Sequence, residues 1–129
     1  MHLLNRRTTQ LLTFAALTAT ALPAVAEIVD IQFGDSRRIT HDIKVPAGKL
    51  AEACGRLAVG STVQWRFSSA TPLDFNIHYH EGSKVVYPVK QEGTAASQGK
   101  LEATVGEPYC WMWTNRTSAA TSLSLELSR

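Results

Sequence analysis

Three stretches decide the fold: Val63-Gln-Trp-Arg-Phe67, Phe75-Asn-Ile-His-Tyr79 and Tyr109-Cys-Trp-Met-Trp113. Each places a large apolar side chain at every second position. A strand turns successive side chains to opposite faces, so such a run reads as a strand with one buried face. Shorter or weaker alternation runs through Val29, Ile31 and Phe33, through Ile39, His41, Ile43 and Val45, and through Val85, Tyr87 and Val89. It returns in Leu101, Ala103 and Val105 and closes in Leu123, Leu125 and Leu127. Lys49 to Val59 has some helical character, but Gly55 and the β-rich surroundings favour a strand.

Turn residues punctuate the runs at Gly34-Asp35-Ser36, Pro46-Ala47-Gly48, Ser68 to Pro72 and the polar, small-residue stretch Gln91 to Gly99. Glu81-Gly82-Ser83 reads as a three-residue hairpin loop. Pro88 lacks a ladder donor and marks an edge strand. The expectation is one antiparallel β-sandwich of about eight strands, jelly-roll or Ig-like, after an N-terminal signal helix. Parity then assigns faces. Trp65, Phe67, Phe75, Ile77, Tyr79, Trp111 and Trp113 point inward as core. Asn76, His78, His80, Cys110 and Met112 point outward.

Residues 1–26 carry the marks of an export signal. Arg6 and Arg7 form a positive start, Leu11 to Leu22 is uncharged and mainly apolar, and Ala24-Val25-Ala26 is a small-x-small cleavage pattern. Twelve residues span roughly 18 Å as a helix, short of a hydrocarbon core of roughly 30 Å. A stable membrane span is therefore not expected after cleavage. The mature domain is 27–129. Taking Arg6 and Arg7 from the 13 basic residues leaves eleven, equal to the 11 acidic ones. A neutral mature surface lacks the basic footprint of a nucleic-acid binder and the bulk charge for docking on anionic lipid. The short basic start and the cleavage pattern fit a bacterial periplasmic or secreted protein. That compartment oxidises thiols, so the 2 cysteines, Cys54 and Cys110, read as one disulfide. Two separate buried thiols are the alternative.

Tyr109-Cys-Trp-Met-Trp-Thr-Asn115-Arg-Thr-Ser118 resembles the closing signature of the GOLD (Golgi dynamics) domain, in which a tyrosine and alternating apolar residues lead to an Asn and a Ser. Gly60-Ser-Thr-Val-Gln-Trp65-Arg-Phe67, Leu73-Asp-Phe-Asn-Ile77 and Ile43-Lys-Val-Pro-Ala-Gly48 are similar to its earlier strands. The resemblance covers residues 39 to 127. It implies a compact β-sandwich that binds rather than catalyses. In the branch with one internal disulfide, Cys54 falls at the first cysteine, while Cys110 lies two residues before the second, where Met112 stands. A shift of two keeps the same strand face. The resemblance also gives Asn115 and Ser118 a structural role in the turn after the aromatic strand, where their side chains bond free backbone groups.

His78 and His80 are the strongest chemical candidates. Two histidines at i and i+2 share a strand face, and the outward Met112 adds a soft thioether, a set that suits copper. A three-residue loop at 81–83 would set Lys84 opposite His80, and an ammonium repels a metal ion. A solvated sheet face is therefore the expected environment of both histidines. His41 shares a face with Ile39 and Ile43 and is expected to be a hydrogen-bonded core residue. No nucleophile elbow, zinc-protease helix, phosphate loop or Cys-x-x-Cys is present. The sequence thus points to a non-catalytic periplasmic module that binds a protein, a peptide or an apolar ligand without a cofactor. The alternative is a soluble copper-binding protein using His78, His80 and Met112.

Overall fold

The computed structural model describes residues 15–19 and 26–129. Most of the signal segment, including the cleavage pattern up to Val25, lies outside the described residues. Residues 15–19 are exposed and carry no regular secondary structure. No helix among the described residues is long and apolar enough to cross a membrane.

Among the described residues seven strands follow in order: β1 (Glu27–Asp30), β2 (Arg38–Val45), β3 (Leu50–Arg56), β4 (Thr62–Glu81), β5 (Lys84–Glu102), β6 (Pro108–Thr114) and β7 (Thr121–Ser128). They form a single sheet in the order β1-β3-β6-β4-β7-β2, with β5 paired to β4. Only the β1–β3 pair is parallel. Within the Lys49 to Val59 stretch, Leu50–Arg56 forms the strand β3, as the Gly55 context favours, and Leu57 to Val59 leave it.

Two stretches depart from the sequence expectation and account for the smaller strand number. Ser68 to Pro72 does not end a strand. It lies inside β4, which runs on for 20 residues. The pairing with β5 jumps from Ser68↔Ala96 to Leu73↔Thr94, so β4 carries extra residues there and bends. Pro72, which has no N–H to donate, falls in this irregularity, where no ladder donor is required. Gln91 to Gly99 is likewise strand rather than loop. It is the middle of β5, whose small polar residues pair with β4 alone. At Gly93 the backbone takes φ 58°, a left-handed conformation that a side chain would strain. The register there gains one residue on β5, and the Gly93 N–H donates to Asp74 Oδ1 at 3.0 Å.

The bend in β4 splits one of its edges between two partners. Gln64 to Ser69 pair with β7, and Asp74 to His78 pair with β6. The sheet therefore curls on itself into a near-barrel rather than forming two separate layers. β1 and β2 approach each other, and the Lys44 N–H donates to Glu27 Oε2 at 3.0 Å. Inside the bend, aromatic rings from one strand meet across the core. Phe67 and Phe75 lie 4.7 Å apart, Trp65 and Phe75 5.1 Å, and Trp113 stacks on Phe75 at 5.6 Å. The inward set is buried throughout. Burying each such side chain contributes roughly 1.5–3 kcal/mol. Trp65 lies over Gly99, its cross-strand partner, and a Cβ at Gly99 would fall 2.7 Å from the indole.

The turn after β6 is built around Asn115, which is fully buried. Its Nδ2 donates to Val45 O at 3.2 Å and Ala119 O at 2.8 Å, while its Oδ1 accepts from Thr117 N and Thr117 Oγ1 at 3.0 and 2.7 Å. Thr117, not Ser118, supplies the hydroxyl of this turn, and Ser118 is exposed. Tyr109 plays a parallel part for the segment before β6, its hydroxyl bonding Thr104 N and Val105 N and O.

Two stability outcomes follow. Asn115→Ala should cost about 2–3 kcal/mol, because it strands buried carbonyl and amide groups; a urea midpoint close to wild type would contradict this. Cys54 and Cys110 are directly opposed on β3 and β6, bridged, with Cα atoms 4.1 Å apart and a sequence separation of 56. Closing a loop of that size is worth up to about 4 kcal/mol in chain entropy. The Cys54→Ser/Cys110→Ser protein should therefore melt well below the oxidised wild type, and equal melting would contradict it.

Candidate functional site

Two outward surfaces gather polar side chains. The first lies on β3, β6 and the second half of β4. In register across these strands sit Cys54, Cys110 and His78, and beside them Glu52, Met112 and Asn76. The parity is as the sequence predicts, but the environment of His78 is not. Only 5% of His78 is exposed, against the solvated setting expected for it, while His80 is exposed. Neighbouring rows of side chains close over the imidazole, with Tyr87 5.8 Å from it.

The hairpin register also differs. Glu81 pairs with Lys84, leaving the two-residue turn Gly82-Ser83, so His80 faces Val85 and not Lys84. The expected repulsion between Lys84 and a bound cation therefore does not arise from direct pairing. The His78 and His80 rings lie 5.4 Å apart, edge to face. Both nitrogens of His78 are turned elsewhere. Nδ1 is 2.8 Å from Asn76 Oδ1, and Nε2 is 3.7 Å from Glu52 Oε1. Met112 is half-buried between Glu52 and Asn76 in the register. Glu52, Cys54 and Cys110 also bring ligand atoms together, but the bridge occupies both sulfurs. His41 is half-buried on β2 rather than in the core.

The second surface lies on the other half of the sheet, across β2, β7, the first half of β4 and the end of β5. It is an open groove of about 570 Å³. Arg38, Arg66, Lys100, Gln64 and Gln98 line it, with Glu126 as its one acidic residue. Glu126 bridges the arginines, with Oε2 2.9 Å from Arg66 Nη2 and Oε1 3.7 Å from Arg38 Nε. Sequence reading passed over these residues because each stands alone among unlike neighbours. Their shared signal is parity: all are even-numbered positions, and on β4 and β7 the odd positions beside them are core.

No protein-family model and no curated protein matches the sequence. Solved structures match the fold. The periplasmic lysozyme inhibitor PliG of Aeromonas hydrophila, an inhibitor of g-type lysozyme, is similar with a TM-score of 0.63 at 13% identity, over 80% of this chain and 96% of that one. The pre-peptidase C-terminal domain of a Bacillus anthracis collagenase is similar at 0.57 and 11% identity, over 84% of this chain and 100% of that one. The Yersinia pseudotuberculosis-derived mitogen is similar at 0.55 and 12% identity, over 70% of this chain and 84% of that one. At these identities the shared property is the fold.

The buried imidazole gives the first surface a testable pH response. Burial pulls the His78 pKa below its usual 6.5; the Glu52 carboxylate opposes this and His80 adds to it. The unfolded chain takes up this proton more readily than the folded one, so stability is full above about pH 6.5 and falls as pH drops below it. Urea midpoints of wild type should decline more steeply than those of His78→Gln as pH is lowered from about 7.5 to about 5. Parallel declines would contradict this.

Proposed function

We propose that this chain is a non-catalytic exported module that works in the periplasm by binding another protein. The observation that carries the proposal is the likeness of fold to a periplasmic lysozyme inhibitor over nearly all of that inhibitor's length. The side chains best suited to chemistry also hold structural positions. Cys54 and Cys110 are joined to each other, and His78 is held between Asn76 and Glu52. A disulfide between adjacent strands fits export to an oxidising compartment.

A protein that inhibits by binding needs a rigid surface and no reacting groups, and a curled sheet with a cross-strand bridge supplies that. Cell-wall lytic enzymes, g-type lysozyme among them, are the first partners to test. Amine-reactive cross-linking in whole cells should give a discrete protein adduct of the mature chain. Calorimetry with the purified partner should then give a saturable complex, and a lytic partner should lose activity in proportion to occupancy. No adduct and no complex with a lysozyme panel would overturn the proposal. Native mass spectra showing copper on the purified protein, lost in His80→Ala, would turn the assignment to the metal-binding alternative.

A further inference from the structure

We infer that the groove over β2, β7, β4 and β5 is a docking site for an acidic, extended segment of a protein partner, gripped through its carboxylates by Arg38, Arg66 and Lys100. The inference rests on the protein-binding proposal and adds where and by what chemistry binding occurs. The mature chain is neutral, yet among the charged residues lining this groove are three cations and one acid. The positive charge is thus local to the concavity rather than a property of the whole surface.

The groove already shows how it takes a carboxylate. Glu126 offers one oxygen to each arginine, and its side chain is 21% exposed where those of Arg38 and Arg66 are 68% and 63% exposed. A guanidinium has five N–H donors in a fixed fork, and a carboxylate accepts such donors in pairs. The contact to Glu126 leaves most of each fork free, Arg66 being hydrogen-bonded to it and Arg38 lying within ion-pair distance.

Spacing favours an extended peptide. Arg38, Ser128, Gln64 and Lys100 form one row across the four strands, and Thr40, Glu126, Arg66 and Gln98 form the next. The rows are two residues apart along each strand, about 7 Å. Side chains i and i+2 of an extended segment have the same separation. A segment lying along the strands over β4 and β5 therefore sets one acidic side chain at Arg66 and the next beside Lys100, while Arg38 flanks it from β2, beyond β7. A sugar chain is less well served. The aromatic residue at the groove floor, Trp65, is 4% exposed, and its indole packs against the space over Gly99, leaving no ring face for a sugar to stack on.

The test is fluorescence anisotropy of the mature, oxidised protein with labelled hexaglutamate, hexalysine and hyaluronate. Expected is saturable hexaglutamate binding that weakens as salt rises, as exposed charge pairs do. Arg38→Glu/Arg66→Glu/Lys100→Glu should weaken it by about tenfold or more, equivalent to about 1.4 kcal/mol or more. Glu126→Gln, which removes the internal competitor, should tighten it severalfold. Melting temperatures check that each variant is folded; Arg66→Gln and Lys100→Gln singly, which leave no charge reversal, replace a triple variant that is not. Absence of hexaglutamate binding, equal binding of hexalysine, tighter binding of hyaluronate, or unchanged binding in the folded variants would each overturn the inference. If the groove variants still give the wild-type protein adduct in cells, the groove is overturned while the protein-binding proposal stands. If wild type gives no adduct yet binds hexaglutamate through these residues, the groove stands and the cellular partner proposal fails.

Discussion

The contact between Phe67 and Phe75 is the one on which the rest of the architecture turns. Eight residues separate them on a single strand, and straight β-structure would carry them about 26 Å apart at 3.3 Å per residue. They touch because β4 bends between Ser68 and Leu73. The bend lets one half of the strand pair with β7 and the other with β6, which decides that the sheet closes on itself. Trp65 and Trp113 join the same cluster. A chain of this size has a high ratio of surface to core, so bringing its largest rings together where the sheet folds matters more than it would in a larger domain.

That bend also explains why the two outward surfaces differ in character. On the β3–β6 half a disulfide joins the outward row beside His78, and His78 and Asn76 are buried although they lie on the outside of the sheet. Their mutual contact satisfies polar atoms that burial would otherwise leave costly. On the β4–β7 half the outward rows include the long side chains of Arg38, Gln64, Arg66, Gln98 and Lys100, which stand around an open hollow. The first surface is built like a second, polar core, and the second like a binding face.

Much of the fold was legible from single-residue alternation. Val63 to Phe67, Phe75 to Tyr79 and Tyr109 to Trp113 are strands with the inward faces their parity requires, because burial on one face imposes a period of two. Gln91 to Gly99 was not legible as strand. It pairs on one edge and packs small side chains, so no hydrophobic period marks it. Ser68 to Pro72 carries every local mark of a turn, and only pairing with distant strands keeps it within β4. The environment of His78 was hidden for a related reason: parity gives the face of a sheet but not what its neighbours cover. Asn115 was legible as a turn residue, but the hydroxyl that completes the turn comes from Thr117 rather than Ser118. The groove residues share no motif, since Arg38, Arg66, Lys100 and Glu126 meet only through the pairings of β2, β4, β5 and β7.

Placing charges on strands rather than on loops has a physical consequence for recognition. Loop-borne side chains must be ordered along with their backbone when a partner binds, at roughly 1–2 kcal/mol per residue fixed. In this groove the backbone is held by ladders on both sides of β4 and β7, so binding has to immobilise side chains alone. Glu126 reduces even that cost for Arg66, which it hydrogen-bonds at 2.9 Å, while Arg38 stands 3.7 Å from its other oxygen. Its carboxylate is at the same time a competitor for both arginines. Affinity at this face is then set by how far an incoming carboxylate can use the free donors of each fork without displacing Glu126.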